Sequence, residues 1–368
     1  MATRVLHVIG QIAVGGCEMQ LLEICRRTDR SRFELSVCYY APRPDSMEAE
    51  FRQTGVGLHY VDKPRLTRWR FLRGLRAVVR KVRPDIIHCW QASPCGWGRL
   101  AGWAEGCRRF VCSERTTRVM SFPWWVKLFE RALARRTIWT ANSSAVASAM
   151  MAALPIAPRR MRVIHNAVEV PPRDRAADRA DARRELGLAP DQPIVLSVGR
   201  LTEAKNYPLL VRAAKIVLQA RPDVRFLVAG QGEEGPRLRA MLAEMDLADP
   251  VRLLGLRHDV PRLMHAADVF CLCSLWEGFP NALAEAMAVG LPAVATAVAG
   301  LDEFFQPGRT GLAVPLDDAA ALAGALLDLL HDEPNRSALA DAARQWVQDR
   351  FSWPRLIQDM QALYAAVE

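Results

Sequence analysis

Short apolar runs separated by amphipathic stretches of helical length recur through both halves of the chain, and this alternation constrains the fold more than any other feature. In the first half, Arg4–Ile9, Phe33–Tyr40, Leu58–Val61, Asp85–Cys89, Arg109–Cys112 and Thr137–Asn142 read as strands. Helical patterns lie between them: 16–28, with Met19, Leu22 and Ile24 on one side, then 68–82 and 122–135. In the second half the strands are Ile194–Gly199, Val224–Ala229, Val251–Leu254, Val269–Ser274, Ala293–Ala295 and Gly311–Val314. Helices over 206–220, 235–245, 259–266 and 281–289 separate them, and helices over 318–331, 335–349 and 353–367 close the chain. Strands alternating with helices in this way build parallel sheets covered on both faces.

The alternation breaks once. Pro171-Pro172 and the polar run Arg173–Asp178 are poor in apolar residues and mark an inter-domain linker. The expected organisation is therefore a first Rossmann-like domain over 1–168 and a linker with a lead-in helix (about Ala180–Leu186) over 169–192. A second Rossmann-like domain follows over 193–350, and a final helix over 351–368 packs back on the first domain. The fold class is α/β, two doubly wound domains facing across a cleft. Ligands of such sheets bind beyond the carboxyl ends of the strands, so the cleft is the expected active site.

Charge separates the halves. Residues 1–172 hold 28 Lys and Arg against 13 Asp and Glu, whereas residues 173–368 hold 21 against 27. The basic half favours an anionic partner. No nucleic-acid recognition motif accompanies the charge, so nucleic acid is not expected. The longest weakly charged stretch, Ala286–Leu301, is broken by Pro292, which excludes a spanning helix there. Nine cysteines without a CxxC pair suit reduced thiols rather than a disulfide framework or a zinc site. Val14-Gly15-Gly16-Cys17 loosely matches a lipoprotein cleavage box, but His7 and Gln11 interrupt the preceding apolar run. A buried strand entering a glycine loop is the better reading. The expected location is cytoplasmic.

Two segments carry chemistry. Glu277-Gly278-Phe279-Pro280-Asn281-Ala282-Leu283-Ala284-Glu285 follows a buried strand and opens a helix. Helix N-terminal amides hold anions or hydroxyls, and Gly278 permits close backbone approach. Val198–Asn206 ends a strand at Gly199 and then places Arg200 and Lys205 five residues apart. Such a pair suits a phosphate leaving group. Gly230-Gln231-Gly232-Glu233-Glu234-Gly235 matches a dinucleotide fingerprint, but the next strand ends in Leu254-Gly255 without the required acid. Gly230 and Gly232 are expected beside the ligand for another reason, as a glycine loop at a strand end.

Arg200…Lys205, Glu277-Gly278-Phe279-Pro280 with Glu285, and Gly15-Gly16-Cys17-Glu18 resemble the retaining glycosyltransferases of GT-B fold in the glycogen-synthase-like group, family 4. Pro84-Asp85-Ile86-Ile87-His88, Asn166, Ala266-Ala267-Asp268 and Gly300…Glu303 fall in the family's order. The resemblance implies that Arg200 and Lys205 bind the donor diphosphate and that Glu277 contacts the transferred sugar. Backbone amides near Phe279, Pro280 and Asn281 would assist, and Glu285 would hold the ribose hydroxyls. Gly15 and Gly16 would approach the diphosphate from the first domain. No metal and no cofactor are implied. The co-substrate is a nucleotide sugar, with a UDP-sugar favoured. The acceptor is a glycan or a lipid-linked saccharide in cell-surface polysaccharide synthesis. A sugar-nucleotide epimerase, a phosphorylase-like enzyme and a non-catalytic partner of a polysaccharide assembly complex stand as alternatives.

Many family members carry a His near the end of the fifth strand of the first domain. Here that region reads Val111–Thr116, so Glu114 or Arg115 is the acceptor-side candidate, with His88 at the cleft rim as another. Residues 62–83 hold nine Lys and Arg and one acid, Asp62, with Leu66, Trp69, Leu72, Leu75 and Val79 at helical spacing. Together with Pro123-Trp124-Trp125-Val126-Lys127, residues 63–83 suit a peripheral contact with an anionic membrane at its inner face, or an apolar face packed on the sheet with its charges solvated.

Overall fold

A computed structural model describes residues 2–63, 67–117, 124–169 and 175–366. Leu66, Pro123 and the linker residues Pro171–Asp174 lie outside the described residues. Two compact units form: Met1–Ala167 with Trp353–Glu368, and Val168–Ser352.

The first unit begins β1 (Thr3–Val8), α1 (Gly16–Arg27), β2 (Phe33–Tyr39), α2 (Glu48–Gln53), β3 (Gly57–Tyr60) and α3 (Arg68–Val82). It continues with β4 (Ile86–Trp90), α4 (Ala92–Ala104), β5 (Phe110–Glu114), α5 (Trp124–Leu133), β6 (Thr137–Ala141), α6 (Ser144–Ala153) and β7 (Met161–Val163). The strands are parallel in the order β3-β2-β1-β4-β5-β6-β7. The second unit contains α7 (Arg175–Glu185), β8 (Ile194–Val198), α8 (Tyr207–Ala220), β9 (Arg225–Ala229), α9 (Gly235–Glu244), β10 (Val251–Gly255) and α10 (Val260–Ala266). Next come β11 (Val269–Leu272), α11 (Asn281–Ala288), β12 (Ala293–Thr296), α12 (Leu301–Phe304), β13 (Leu312–Val314), α13 (Ala319–His331) and α14 (Glu333–Arg350). Its parallel order is β10-β9-β8-β11-β12-β13. The last helix, α15 (Trp353–Ala366), belongs to the first unit. Its Trp353, Leu356, Met360, Leu363 and Tyr364 are buried in one core with Val5, Ile9 and Phe33.

An aspartate ties the amino edge of each sheet in the same way. Asp85, just before β4, accepts a bond from Arg4 N at 2.8 Å through Oδ2 and donates its own N–H to Arg4 O at 2.8 Å. Asp268, just before β11, accepts from Ile194 N at 2.8 Å and donates to Ile194 O at 2.9 Å.

Several expectations need correction. Residues 92–104 carried no helical prediction because Pro94, Gly96, Gly98 and Gly102 weaken the local signal. The glycines serve packing: a Cβ at Gly98 would sit 2.5 Å from Cys89 Sγ, and one at Gly102 would sit 2.3 Å from Ile87 Cδ1. Helices α2, α6 and α12 and strand β7 were also unpredicted. On α1 the buried apolar residues are Leu21, Leu22, Ile24 and Cys25, while Met19 is exposed. On α3 the buried stripe is Phe71, Leu75 and Val79, four residues apart, and Trp69 is turned out to 79% exposure. The lead-in helix expected at about Ala180–Leu186 begins earlier, as α7 from Arg175, and is fastened within the second unit. Arg183, 2% exposed, and Arg179 bind the Asp268 carboxylate at 2.9 and 2.7 Å.

Candidate active site

In the second unit, the loops after β8, β9 and β11 knit together at the carboxyl edge of three adjacent strands. Leu201 N donates to Gln231 O at 3.0 Å, and Glu234 N to Leu201 O at 2.9 Å. Leu275 N donates to Ala204 O at 2.8 Å, and Cys273 Sγ to Lys205 O at 3.1 Å. Glycine is required at two of these contacts. Gly230 has φ +151°, and a Cβ there would lie 1.9 Å from Gly199 O; one at Gly232 would lie 2.3 Å from Leu201 O. Both glycines thus let the β8 and β9 loops meet, a structural role the sequence reading did not assign.

This arrangement brings Lys205 and Glu277 together. Lys205 Nζ lies 2.5 Å from Glu277 Oε1, and the side chains retain 22% and 11% exposure. Ser274 Oγ donates to the same Oε1 at 2.6 Å, and Thr296 Oγ1 donates to Ser274 O at 2.6 Å. Ser274 and Thr296 are fully buried. Ser274 holds the acid and Thr296 holds Ser274; neither was singled out from sequence, since a hydroxyl at a strand end carries no signal of its own. Arg200 is exposed, and its guanidinium has no hydrogen-bond or ion-pair partner among the described residues. The site therefore offers one open cation and one cation held against a carboxylate, a suitable arrangement for an anionic ligand.

Glu285 is half-buried on α11, four residues into the helix. Burial pushes its carboxyl up to about 7. Asn281 opens α11 and Pro280 caps it. The Phe279 ring is core, packed edge-on against Phe304 and Phe351 with centroids 4.6 and 5.3 Å away, so only its backbone is available to a ligand.

In the first unit, Gly15 is the extended residue ahead of α1, and Gly16 begins that helix. A Cβ on Gly15 would meet Glu18 Oε2 at 2.6 Å, so glycine lets the buried Glu18 fold back over the loop. His88 was expected at the rim and is not there. It is fully buried within β4, bonded through Nδ1 to the Tyr364 hydroxyl at 2.8 Å and through Nε2 to Ser113 Oγ at 2.7 Å. Ser113 continues to Thr140 Oγ1 at 2.5 Å. Burial holds the imidazole pKa well below its usual range, so His88 is neutral. His7 lies beside it and accepts a bond from Trp90 Nε1 at 3.0 Å; burial lowers its pKa to about 3. Glu114 is buried, with its carboxyl raised by desolvation, and accepts from Arg115 N at 2.8 Å. The Arg115 guanidinium bonds Asn166 Oδ1 and lies 4.6 Å from the centre of the Trp90 ring. Desolvation lowers the Arg115 pKa. Neither Glu114 nor Arg115 is a freely solvated group. Among the described residues no group of three or more His, Cys, Asp or Glu is arranged to hold a metal ion.

Comparison with known proteins agrees with this architecture. The family described as Glycosyltransferase Family 4 matches residues 14–170, and Glycosyl transferases group 1 matches residues 178–346. A putative glycosyltransferase of Bacillus subtilis, EpsF, is 27% identical over 304 residues, covering 79% of this chain and 78% of EpsF. The Escherichia coli UDP-Gal:alpha-D-GlcNAc-diphosphoundecaprenol alpha-1,3-galactosyltransferase is 29% identical over 274 residues, covering 71% and 70%. Among solved structures, Anabaena HepE in complex with UDP and glucose superposes with a TM-score of 0.85 at 22% identity, over 99% of this chain and all of HepE. Two family matches placed end to end over two parallel-sheet units, the second with its charged strand-end loops, lead to one assignment: the chain belongs to the family 4-type glycosyltransferases of GT-B fold.

Proposed function

We propose that the protein transfers a sugar, with retention at the anomeric carbon and without a metal, from a UDP-sugar to a lipid-linked or growing glycan in cell-surface polysaccharide synthesis. The observation that carries this reading is the Lys205–Glu277 pair seated on Ser274 beside the open Arg200. Arg200 and Lys205 would neutralise the charge that grows on the leaving diphosphate, the task a metal performs elsewhere. Glu277 would hold a hydroxyl of the transferred sugar, and Glu285 the ribose hydroxyls. The leaving phosphate would accept the proton of the attacking hydroxyl on the same face, so the two-carboxylate geometry of glycosidases does not apply. UDP in the complex of HepE supports the donor class, and the diphosphoundecaprenol in the name of the E. coli relative supports a lipid-linked acceptor.

A peripheral position at the inner face of a membrane belongs to the same proposal. Trp69 is exposed on α3 beside Arg68, Arg70 and Arg73, none of which has a carboxylate partner among the described residues. Arg76 and Arg80, by contrast, share Glu105. No helix among the described residues is long and apolar enough to cross a membrane.

A thermal-shift panel of UDP, GDP, ADP and their sugar conjugates, with and without EDTA, tests the donor assignment. A ligand that binds only the folded state raises its stability by RT ln(1 + [L]/Kd). Stabilisation by UDP and its sugars, unchanged by EDTA, is the expected result. Stabilisation that EDTA abolishes would overturn metal independence, and no shift with any nucleotide would overturn the donor site. Consumption of the nucleotide sugar only when an acceptor is added separates transfer from epimerisation.

A further inference from the structure

The amino edge of the first sheet, opposite the strand ends where ligands of such sheets bind, holds a second basic feature. A cavity of about 70 Å³ lies between the end of α5, the start of β6 and the α6–β7 connection. Arg135, Arg159 and Arg160 line it, with Glu130, Thr137 and Trp139. None of the three guanidiniums has a carboxylate or hydrogen-bond partner among the described residues. Glu130 does not compensate them, because Arg99, 1% exposed, takes both of its oxygens, one at 2.7 Å. Thr137 and Trp139 alternate onto one face of β6. Thr137 is 1% exposed, and its buried Oγ1 has no hydrogen-bond partner. An orphaned buried hydroxyl is costly and rare, and like charges gathered around a cavity repel. An anion with several acceptor oxygens relieves both costs, since guanidinium forks match phosphate oxygens in pairs.

We propose that this cavity binds a phosphate group, with Arg135, Arg159 and Arg160 supplying charge and forked hydrogen bonds and the Thr137 hydroxyl donating to a phosphate oxygen. The cavity is lined by residues of the first unit alone and does not depend on the assignment of a donor site to the second. Its ligand is either a free phosphate compound or a phospholipid headgroup, which present the same oxygens.

The test uses the full chain carrying Arg200→Ala and Lys205→Ala, so that the proposed donor site cannot supply the signal. Pyrophosphate binding is measured by titration calorimetry. Binding to phosphatidylglycerol vesicles, against phosphatidylcholine vesicles, is measured by sedimentation. Adding Arg159→Ala with Arg160→Ala is expected to weaken one of the two ligands by about tenfold, and Thr137→Val by about threefold, with the melting temperature unchanged. Arg135→Gln provides a second, surface-only variant. Loss confined to pyrophosphate assigns a free phosphate compound, and loss confined to vesicles assigns a headgroup. Undiminished binding of both, or no binding of either by the parent variant, overturns the site.

Discussion

The two units are tied alike at the amino edges of their sheets and differ at the carboxyl edges. At the amino edges Asp85 and Asp268 each exchange two hydrogen bonds with the backbone at the start of the neighbouring strand, Arg4 and Ile194. At the carboxyl edges the polar groups diverge. Beneath that edge the first unit holds Tyr364–His88–Ser113–Thr140, a chain of neutral groups with His88 fully buried and α15 packed over it. The second unit holds Lys205–Glu277–Ser274, with the two charged side chains still reached by solvent. A buried network survives when it is neutral and satisfied. The contrast separates groups that hold the fold from groups to which the proposed function gives the chemistry.

The comparison can be broken at three points. The matched aspartates come first, because equal geometry predicts unequal energy. Asp268→Ala strands Arg183, 2% exposed, without its carboxylate and is expected to cost about 3–5 kcal/mol of unfolding free energy. Asp85 and Arg4 retain 38% and 39% exposure, so Asp85→Ala should cost at most about 1 kcal/mol. Denaturant titration reads both, and equal losses would mean that burial does not decide the difference.

The carboxyl edges come second. Lys205→Ala is expected to lower transfer by about 10²–10³-fold in steady-state kinetics with an unchanged melting temperature. Tyr364→Phe leaves His88 Nδ1 without its partner and should cost about 1–3 kcal/mol of stability, while turnover per folded molecule is kept. If Lys205→Ala unfolded the protein and Tyr364→Phe stopped the reaction, the roles assigned to the two edges would be reversed.

The smallest effect is in pH dependence, where one buried group in each unit, His7 and Glu285, carries opposite signs. The His7 pKa is lowered from 6.5 to about 3, so its contribution is present above pH 6.5 and is lost as pH falls from there towards 3. The Glu285 pKa is raised from 4.5 to about 7, so its contribution is present below pH 4.5 and is lost as pH rises through 7. Between pH 4.5 and 6.5, acidification therefore costs stability through His7 in the first unit and adds it through Glu285 in the second, while the raised carboxyls of Glu114 and Glu130 oppose the His7 effect within the first unit. Scanning calorimetry should show Glu285→Gln flattening the pH response of the second unit and His7→Gln altering that of the first, each leaving the other unit unchanged. An unchanged pH response in Glu285→Gln would refute the linkage assigned to Glu285.

Much of this molecule is legible in its residues. The strands and most helices follow the apolar periodicity closely; α3 begins and ends at Arg68 and Val82, as the spacing predicts. Arg200, Lys205, Glu277 and Glu285 are conspicuous because charge at a strand end or on an opening helix is locally readable. His88 misled for the same reason: a polar residue near a strand end looks like a rim residue until its partner is known. Helix α4 was hidden by glycines whose purpose is contact with β4 and β5, a reason that local propensity does not contain.

The sequence by itself determined the α/β alternation, the break between the halves and the charged strand-end residues, because all of these are written within a few residues of one another. Only the tertiary structure decided what those residues do to each other. Tyr364 reaches His88 across 276 positions, Asp268 reaches Arg183 across 85, and Glu277 reaches Lys205 across 72. Periodicity is a property of one segment, whereas a hydrogen bond or an ion pair belongs to two, and their meeting depends on how the strands are ordered in the sheet.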